Sequence, residues 1–348
     1  MTITLPVTMR AIVLERFGSP EDSLKLKDVP TPAPTPGHAI IKVKAFGINH
    51  AEMHMRRGEW AEYMPIIGIE CVGVIVSSLP ATASSGPALE PGTPVVTLMG
   101  GLGRTINGSY AEYTCAPLTN IVPIPRTLVA KLGWARLGAL PETYATAWTC
   151  LFRNLDLQPG ERLLIRGATS SFGAAAVKLA VNHGAVVSAT SRKVERAERL
   201  EALGVTEVLL EGTALGEKLI SEGRKFDKVL ELVGNSTLLH SLKLVRRDGR
   251  LCLAGFLGGL APIEFNPLLQ MASGVHFSFF GSFVFGSDEF PLTDVPLADI
   301  VDLVASGKLE AEPKSVFEFG ESGVREAHRV MEAGQAGGKM VVVVDSAL

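Results

Sequence analysis

The apolar positions of the chain follow two patterns. In the first third they form short runs separated by turn residues. Arg10–Leu14, Ala39–Val43, Glu70–Val76 and Val95–Leu98 are rich in Ile and Val and read as strands. Pro30–Gly37, with proline at 30, 32, 34 and 36, reads as an extended connector. Pro80–Pro94 is rich in Pro, Ser, Ala and Gly and reads as a surface loop. From about Leu128 strands and helices alternate. Arg162–Ile165, Ala185–Thr190, Val205–Leu210, Lys228–Val233 and Arg250–Ala254 make the strand series. Helices at Ala174–Asn182 and Val194–Leu203 sit between them, each closed by a glycine, Gly184 and Gly204. Such repeats predict a parallel sheet covered on both faces. Helices around Leu297–Ser306 and Gly323–Ala333 and a strand at Met340–Val344 close the chain.

Composition narrows the class. A chain of 348 residues corresponds to about two domains. Hydrophobic residues at 47% and charged residues at 20% fit a globular protein rather than a disordered one. A net charge of −3 gives no electrostatic footprint for nucleic acid or an anionic membrane, so neither is expected as a partner. No apolar run is long enough to span a bilayer, and Met1–Arg10 lacks the character of a leader, so the cytoplasm is the expected location. Cys71, Cys115, Cys150 and Cys252 are scattered, which argues against a structural zinc site or a disulfide framework.

The 36 glycines have no collagen-like period and therefore mark turns. The most informative turn lies in Leu163–Ala180, LLIRGATSSFGAAAVKLA. A buried strand runs into small residues and then into a helix, which lets backbone N–H groups approach a pyrophosphate. Ala168, Ser170 and Gly173 occupy the three positions of a GxGxxG turn. Ala168, Thr169, Ser170, Ser171, Phe172 and Gly173 are the expected cofactor cradle. The next strand ends at Thr190, where an NAD site usually carries Asp or Glu for the ribose 2′-hydroxyl. This chain has Ser191, Arg192 and Lys193 instead, which suits a 2′-phosphate and predicts NADPH.

At this point the chain resembles the medium-chain dehydrogenase/reductase superfamily, in its zinc-independent, zeta-crystallin-like quinone oxidoreductase branch. The stretches that carry the resemblance run over nearly the whole chain. They are Phe46–Gly58 (FGINHAEMHMRRG), Pro65–Val76 (PIIGIECVGVIV), Asn107–Tyr113 (NGSYAEY), Leu140–Leu151 (LPETYATAWTCL) and Ala327–Val342 (AHRVMEAGQAGGKMVV). The resemblance implies an α/β chain: a Rossmann doubly wound parallel sheet plus a mainly β GroES-like catalytic domain. The expected division is residues 1–127 catalytic, 128–280 NADPH-binding, and 281–348 returning to the catalytic domain.

Departures from the zinc alcohol dehydrogenases are informative. Gly47-Ile48-Asn49-His50 has no Cys, the Gly-His-Glu motif reads Gly68-Ile69-Glu70, and Met99–Asn107 has none of the four structural-zinc cysteines. No metal is expected. Without a Lewis acid to polarise oxygen, the hydride acceptor must already be electrophilic, as quinones and α,β-unsaturated carbonyls are. The resemblance implies that Asn49 lies near the nicotinamide and the acceptor, and that Thr146 lies near the nicotinamide half. His54 stands where relatives often carry Tyr and is a candidate proton donor; Tyr63 is a further candidate catalytic residue, with Trp60 beside it as a cleft-lining alternative. Gly234, Phe256, Phe283 and Lys339 are the remaining residues the resemblance places at the cofactor. It also implies a homodimer, for which Val275–Phe285 is the candidate edge strand. The expected activity is NADPH-dependent reduction of a small quinone or enone. The alternatives are a trans-acting enoyl reductase of a biosynthetic pathway and a non-catalytic, crystallin-like NADPH-binding protein.

Overall fold

The computed structural model describes residues 5–80 and 88–347, so the middle of the Pro80–Pro94 loop lies outside the described residues. The chain folds as two compact units, Met1–Glu142 with Ser282–Leu348, and Thr143–Gly281.

The first unit opens with β1 (Thr8–Leu14) antiparallel to β2 (Leu24–Pro30), joined through a short turn of helix whose Ser19 cap accepts the Asp22 N–H. Next comes β3 (His38–Ile48), nearly continuous in its burial because the chain covers both its faces. It pairs with β4 (Glu70–Leu79), which pairs in turn with β5 (Pro94–Leu98). β6 (Tyr113–Pro117) borders the start of β3, and β7 (Ile121–Pro123) borders β5. All these contacts are antiparallel, so short turns suffice to connect strands.

The second unit is a six-stranded parallel sheet of β8 (Arg162–Arg166), β9 (Val186–Ser191), β10 (Glu207–Leu210), β11 (Phe226–Glu231), β12 (Val245–Leu253) and β13 (His276–Phe279). Their spatial order is β10-β9-β8-β11-β12-β13. That is the doubly wound dinucleotide-binding order, whose direction of winding reverses between β8 and β11. Leu164, Phe226, Val229, Leu242 and Leu251 pack its core. The helix expected from Ala174 begins earlier, at Ser171, because Ser170 caps it. The helix expected over Val194–Leu203 divides into a 3-10 turn, Val194–Arg196, and an α-helix, Ala197–Ala202. The edge segment expected over Val275–Phe285 supplies only four strand residues; Phe277 and Phe279 are exposed on them.

The chain then returns to the first unit. β14 (Ser315–Glu318) runs parallel to β15 (Met340–Val343), and β15 pairs antiparallel with the end of β3. Helix Arg126–Gly138, which spans the boundary expected after residue 127, packs here on β3, β4 and β15. Gly133 interrupts it with φ 73°.

A buried polar cluster ties helix His50–Arg57 to helix Glu321–Glu332. Arg56 donates to Gly18 O, to Glu332 Oε1 and, at 3.3 Å, to His328 Nδ1. His328 Nδ1 therefore accepts, and Nε2 carries the hydrogen towards Tyr110 Oη, 3.0 Å away. Burial, with the Arg56 charge second, pushes the His328 imidazole down to about 3. The unfolded chain binds a proton at this residue below about pH 6.5 and the folded chain does not until about pH 3. Stability is thus present above pH 6.5 and falls as pH drops towards 3, by up to about 1.4 kcal/mol per pH unit from this residue. Thermal melts of His328→Gln across that range should show a flatter acid limb than the parent protein; identical limbs would remove His328 as the cause.

Candidate functional site

In the second unit the predicted cradle is built from one strand–turn–helix. β8 ends at Arg166, and Gly167 turns the chain with φ 79°, a conformation that favours glycine. Its N–H bonds Thr190 Oγ1 at 3.1 Å, which holds the turn against the end of β9. Ser170 Oγ donates to Gly167 O at 2.9 Å and accepts the Gly173 N–H at 3.0 Å. This hydroxyl is therefore committed to capping the helix Ser171–Asn182. A Cβ on Gly173 would meet Gly167 O at 2.5 Å and Ala168 Cα at 2.6 Å. The helix can seat this closely on the turn only because residue 173 has no side chain. The N–H groups of Ser171 and Phe172, in the first turn of the helix, have no intrahelical carbonyl to bond, which is the setting for an anionic group. Ala168 is fully buried; Thr169, Ser171 and Phe172 are partly so.

At the end of β9, Ser191 Oγ donates to Lys193 O at 2.8 Å and accepts the Lys193 N–H at 3.2 Å. Ser191 thus shapes the turn that presents Arg192. An open pocket of about 580 Å³ follows, lined by Arg192, Lys193, Val194, Glu195, Arg196 and Leu210. Across the β11 and β12 ends, a Cβ on Gly234 would meet Gly255 O at 2.7 Å and Phe256 Cα at 3.0 Å, so Gly234 and Phe256 lie against each other. Thr146, a residue of this unit, is buried on helix Pro141–Trp148.

In the first unit, Asn49 begins helix His50–Arg57 and meets Lys339 in a buried charge cluster. Lys339 Nζ donates to Asn49 Oδ1 and Glu70 Oε1, both at 2.5 Å. Asn49 Nδ2 donates to Glu70 Oε1 at 2.8 Å and, more weakly, towards Glu52 Oε1 at 3.4 Å. Glu70 Oε2 accepts the Glu142 N–H at 2.7 Å. Glu52 accepts the Asn49 N–H at 2.8 Å and the Ile69 N–H at 3.1 Å. Burial, reinforced by the charge of Glu70, pushes the Glu52 carboxyl up to about 7. Gly47 faces this cluster: a Cβ there would overlap Glu70 Oε1 and meet Lys339 Cε at 2.5 Å.

His54 and Tyr63 stand apart from the cluster in their contacts. His54 Nδ1 pairs with Glu59 Oε2, and its ring lies parallel to Trp60 with centroids 6.1 Å apart. Tyr63 is 41% exposed and meets Phe17 edge-on. Phe283 carries the Arg104 guanidinium 5.3 Å from its ring centroid; the same guanidinium lies 5.9 Å from Trp60 and pairs with Glu62. Sequence reading left Glu52 and Glu70 without a role. For Glu70 the signal was present: the acid of the Gly-His-Glu motif is kept while its neighbouring metal ligand has become Ile69. Ile69 is buried and offers no lone pair. Among the described residues no three His, Cys, Asp or Glu side chains gather as a metal site requires, and no helix is long and apolar enough to cross a membrane.

Comparison with known proteins follows this geometry. The alcohol dehydrogenase GroES-like domain family matches residues 35–126, and the zinc-binding dehydrogenase family matches residues 203–342. The quinone oxidoreductase of Mus musculus is 32% identical over 274 residues, covering 76% of this chain and 77% of its own. Among solved structures, a mycobacterial protein complexed with NADPH superposes with TM-score 0.81 at 23% identity, covering 97% of this chain and 100% of that one. The CurK enoyl reductase superposes with TM-score 0.77 at 22% identity, covering 96% and 99%.

Gly47→Ala should cost about 2 kcal/mol in urea unfolding, since an added methyl must displace a buried ion pair. A loss below about 0.5 kcal/mol would mean that the cluster can rearrange freely.

Proposed function

The chain belongs to the quinone oxidoreductase branch of the medium-chain dehydrogenase/reductase superfamily, and from that premise we propose that it transfers hydride from NADPH to a quinone or an α,β-unsaturated carbonyl compound without zinc. One observation carries the cofactor assignment: the end of β9 offers Arg192, Lys193 and Arg196 around a pocket where an NAD-selective site would offer a carboxylate. The cradle supports a dinucleotide, because Gly173 lets the helix seat on the turn and the first-turn N–H groups of Ser171 and Phe172 suit a pyrophosphate.

The donor set does not fit zinc. Ile69 replaces the metal histidine, and the Cys71 thiol is buried, which together with the Glu70 charge raises its pKa far above the ordinary thiol value. Bound NADPH supplies the hydride. The protein's part is to hold donor and acceptor in register and to exclude water. Asn49 has one amide hydrogen on Glu70 and its oxygen on Lys339, so both ends of the amide are held in place. A group held in this way makes Asn49 an orienting group for the cofactor, and Lys339 the residue that fixes it. With Nδ1–H on the Glu59 carboxylate, the imidazolium form of His54 carries a second proton, on Nε2, that passes to the reduced acceptor and leaves the neutral ring. Tyr63, which is exposed, and the partly buried Trp60 supply aromatic surface for a planar acceptor. A homodimer through the β13 edge would cover Phe277 and Phe279. The cytoplasm is the compartment this reading assigns. Enoyl reduction is the second reading, favoured by the shared fold with the CurK enoyl reductase.

Stopped-flow NADPH oxidation should show turnover with at least one member of a quinone and enone panel, unchanged by chelator. Well-folded protein inert towards the whole panel would refute the activity. Preference for acyl thioesters over free quinones would select the second reading. Arg192→Ala should weaken NADPH about tenfold or more and NADH by no more than about twofold. Equal losses would exclude phosphate recognition by Arg192.

A further inference from the structure

Arg166 lies at the end of β8, one residue before the turn glycine, and its side chain is 1% exposed. It holds Glu211 through both carboxylate oxygens, Nε lying 2.9 Å from Oε2 and Nη2 bonding Oε1. Nη1 donates to Ser241 Oγ at 3.1 Å. Ser241 Oγ donates to Glu231 Oε2 at 2.5 Å, and the other Glu231 oxygen accepts the N–H groups of Val233 and Gly234. One buried cation therefore serves two carboxylates, and the bidentate contact goes to Glu211.

Glu211 is placed where a charge would matter. It follows β10 directly, its side chain is 8% exposed, and its N–H bonds Ser191 O at 2.8 Å. The preceding residue, Leu210, lines the pocket of Arg192, Lys193 and Arg196. We infer that Arg166 is a positioning residue for cofactor choice: by neutralising Glu211 it prevents that carboxylate from repelling a 2′-phosphate and from engaging a ribose 2′-hydroxyl. This rests on the NADPH reading of the pocket. Glu195, the carboxylate that lines the pocket itself, is exposed and unpaired with Arg166, so it contributes equally in all variants compared below. A released charge next to a phosphate site, in a partly desolvated setting, changes affinity by about an order of magnitude.

The experiment measures NADPH and NADH dissociation constants by fluorescence titration for the parent protein, Arg166→Met, Glu211→Gln and the double variant. Arg166→Met should weaken NADPH about tenfold and NADH less than about threefold. The double variant should return the NADPH-to-NADH preference to within about twofold of the parent, and Glu211→Gln alone should keep or raise it. A merely structural role would weaken both cofactors alike and would not be rescued by the second substitution. An unchanged preference in folded Arg166→Met, or no rescue in the double variant, overturns the inference while leaving the NADPH reading intact. Parent protein that prefers NADH overturns both. If Arg166→Met does not fold, Arg166→Gln takes its place: a selective loss of NADPH affinity that Glu211→Gln rescues supports the inference, and an unchanged preference or no rescue overturns it.

Discussion

A cation removed from water must find an anion, and both units of this protein are organised around that requirement. Leaving either partner of a buried pair alone costs several kcal/mol, so the residues around the pair are fixed with it. In the first unit the pair is Lys339 with Glu70, and its demands reach β3, β4, the start of helix His50–Arg57 and the segment leading into β15. Gly47 is bare because the pair occupies the space of its side chain. In the second unit Arg166 draws together the ends of β8, β10 and β11 and the helix Asn235–Leu244. In each case the charges lie beside residues to which chemistry is assigned, Asn49 in one unit and the Gly167 turn in the other.

In the first cluster Ile69 stands at the histidine of the Gly-His-Glu position and offers no lone pair, and Glu70 beside it is fully buried. A carboxylate there is tolerable only with a permanent positive partner, and Lys339 is that partner at 2.5 Å. Glu52 shows the opposite case. It has N–H donors but no direct cation, and its carboxyl is correspondingly pushed up to about 7.

The strand–helix alternation and the nucleotide turn were legible because they are local. A run such as LLIRGATSSFGAAAVKLA carries its strand, its turn and its helix within eighteen letters. Helix Arg126–Gly138 was less so: Gly133 breaks its conformation, and what places it in the first unit is packing on β3, β4 and β15. The charge clusters were hidden for a different reason. Glu70 and Lys339 are 269 positions apart, and Arg166 and Glu211 are 45 apart. Nothing in the spacing of such residues announces that they will pair. The hydroxyls of Ser170 and Ser191, expected from sequence at the cofactor, bond to the backbone of their own turns.

The same distinction bears on the imperfect GxGxxG turn. Its glycines are needed for two separate reasons, positive φ and close approach. Here the positive φ falls on Gly167, just before the first position of the motif, and the close approach falls on Gly173. Ser170, at the middle position, has φ −70° and its hydroxyl caps the helix. Ala168, at the first, buries its methyl completely. Glycine at either position would give up a contact or a cap without relieving any strain. The departure from the motif therefore does not weaken the nucleotide reading: the two glycines that geometry demands are present, and the other two positions hold side chains that stiffen the turn.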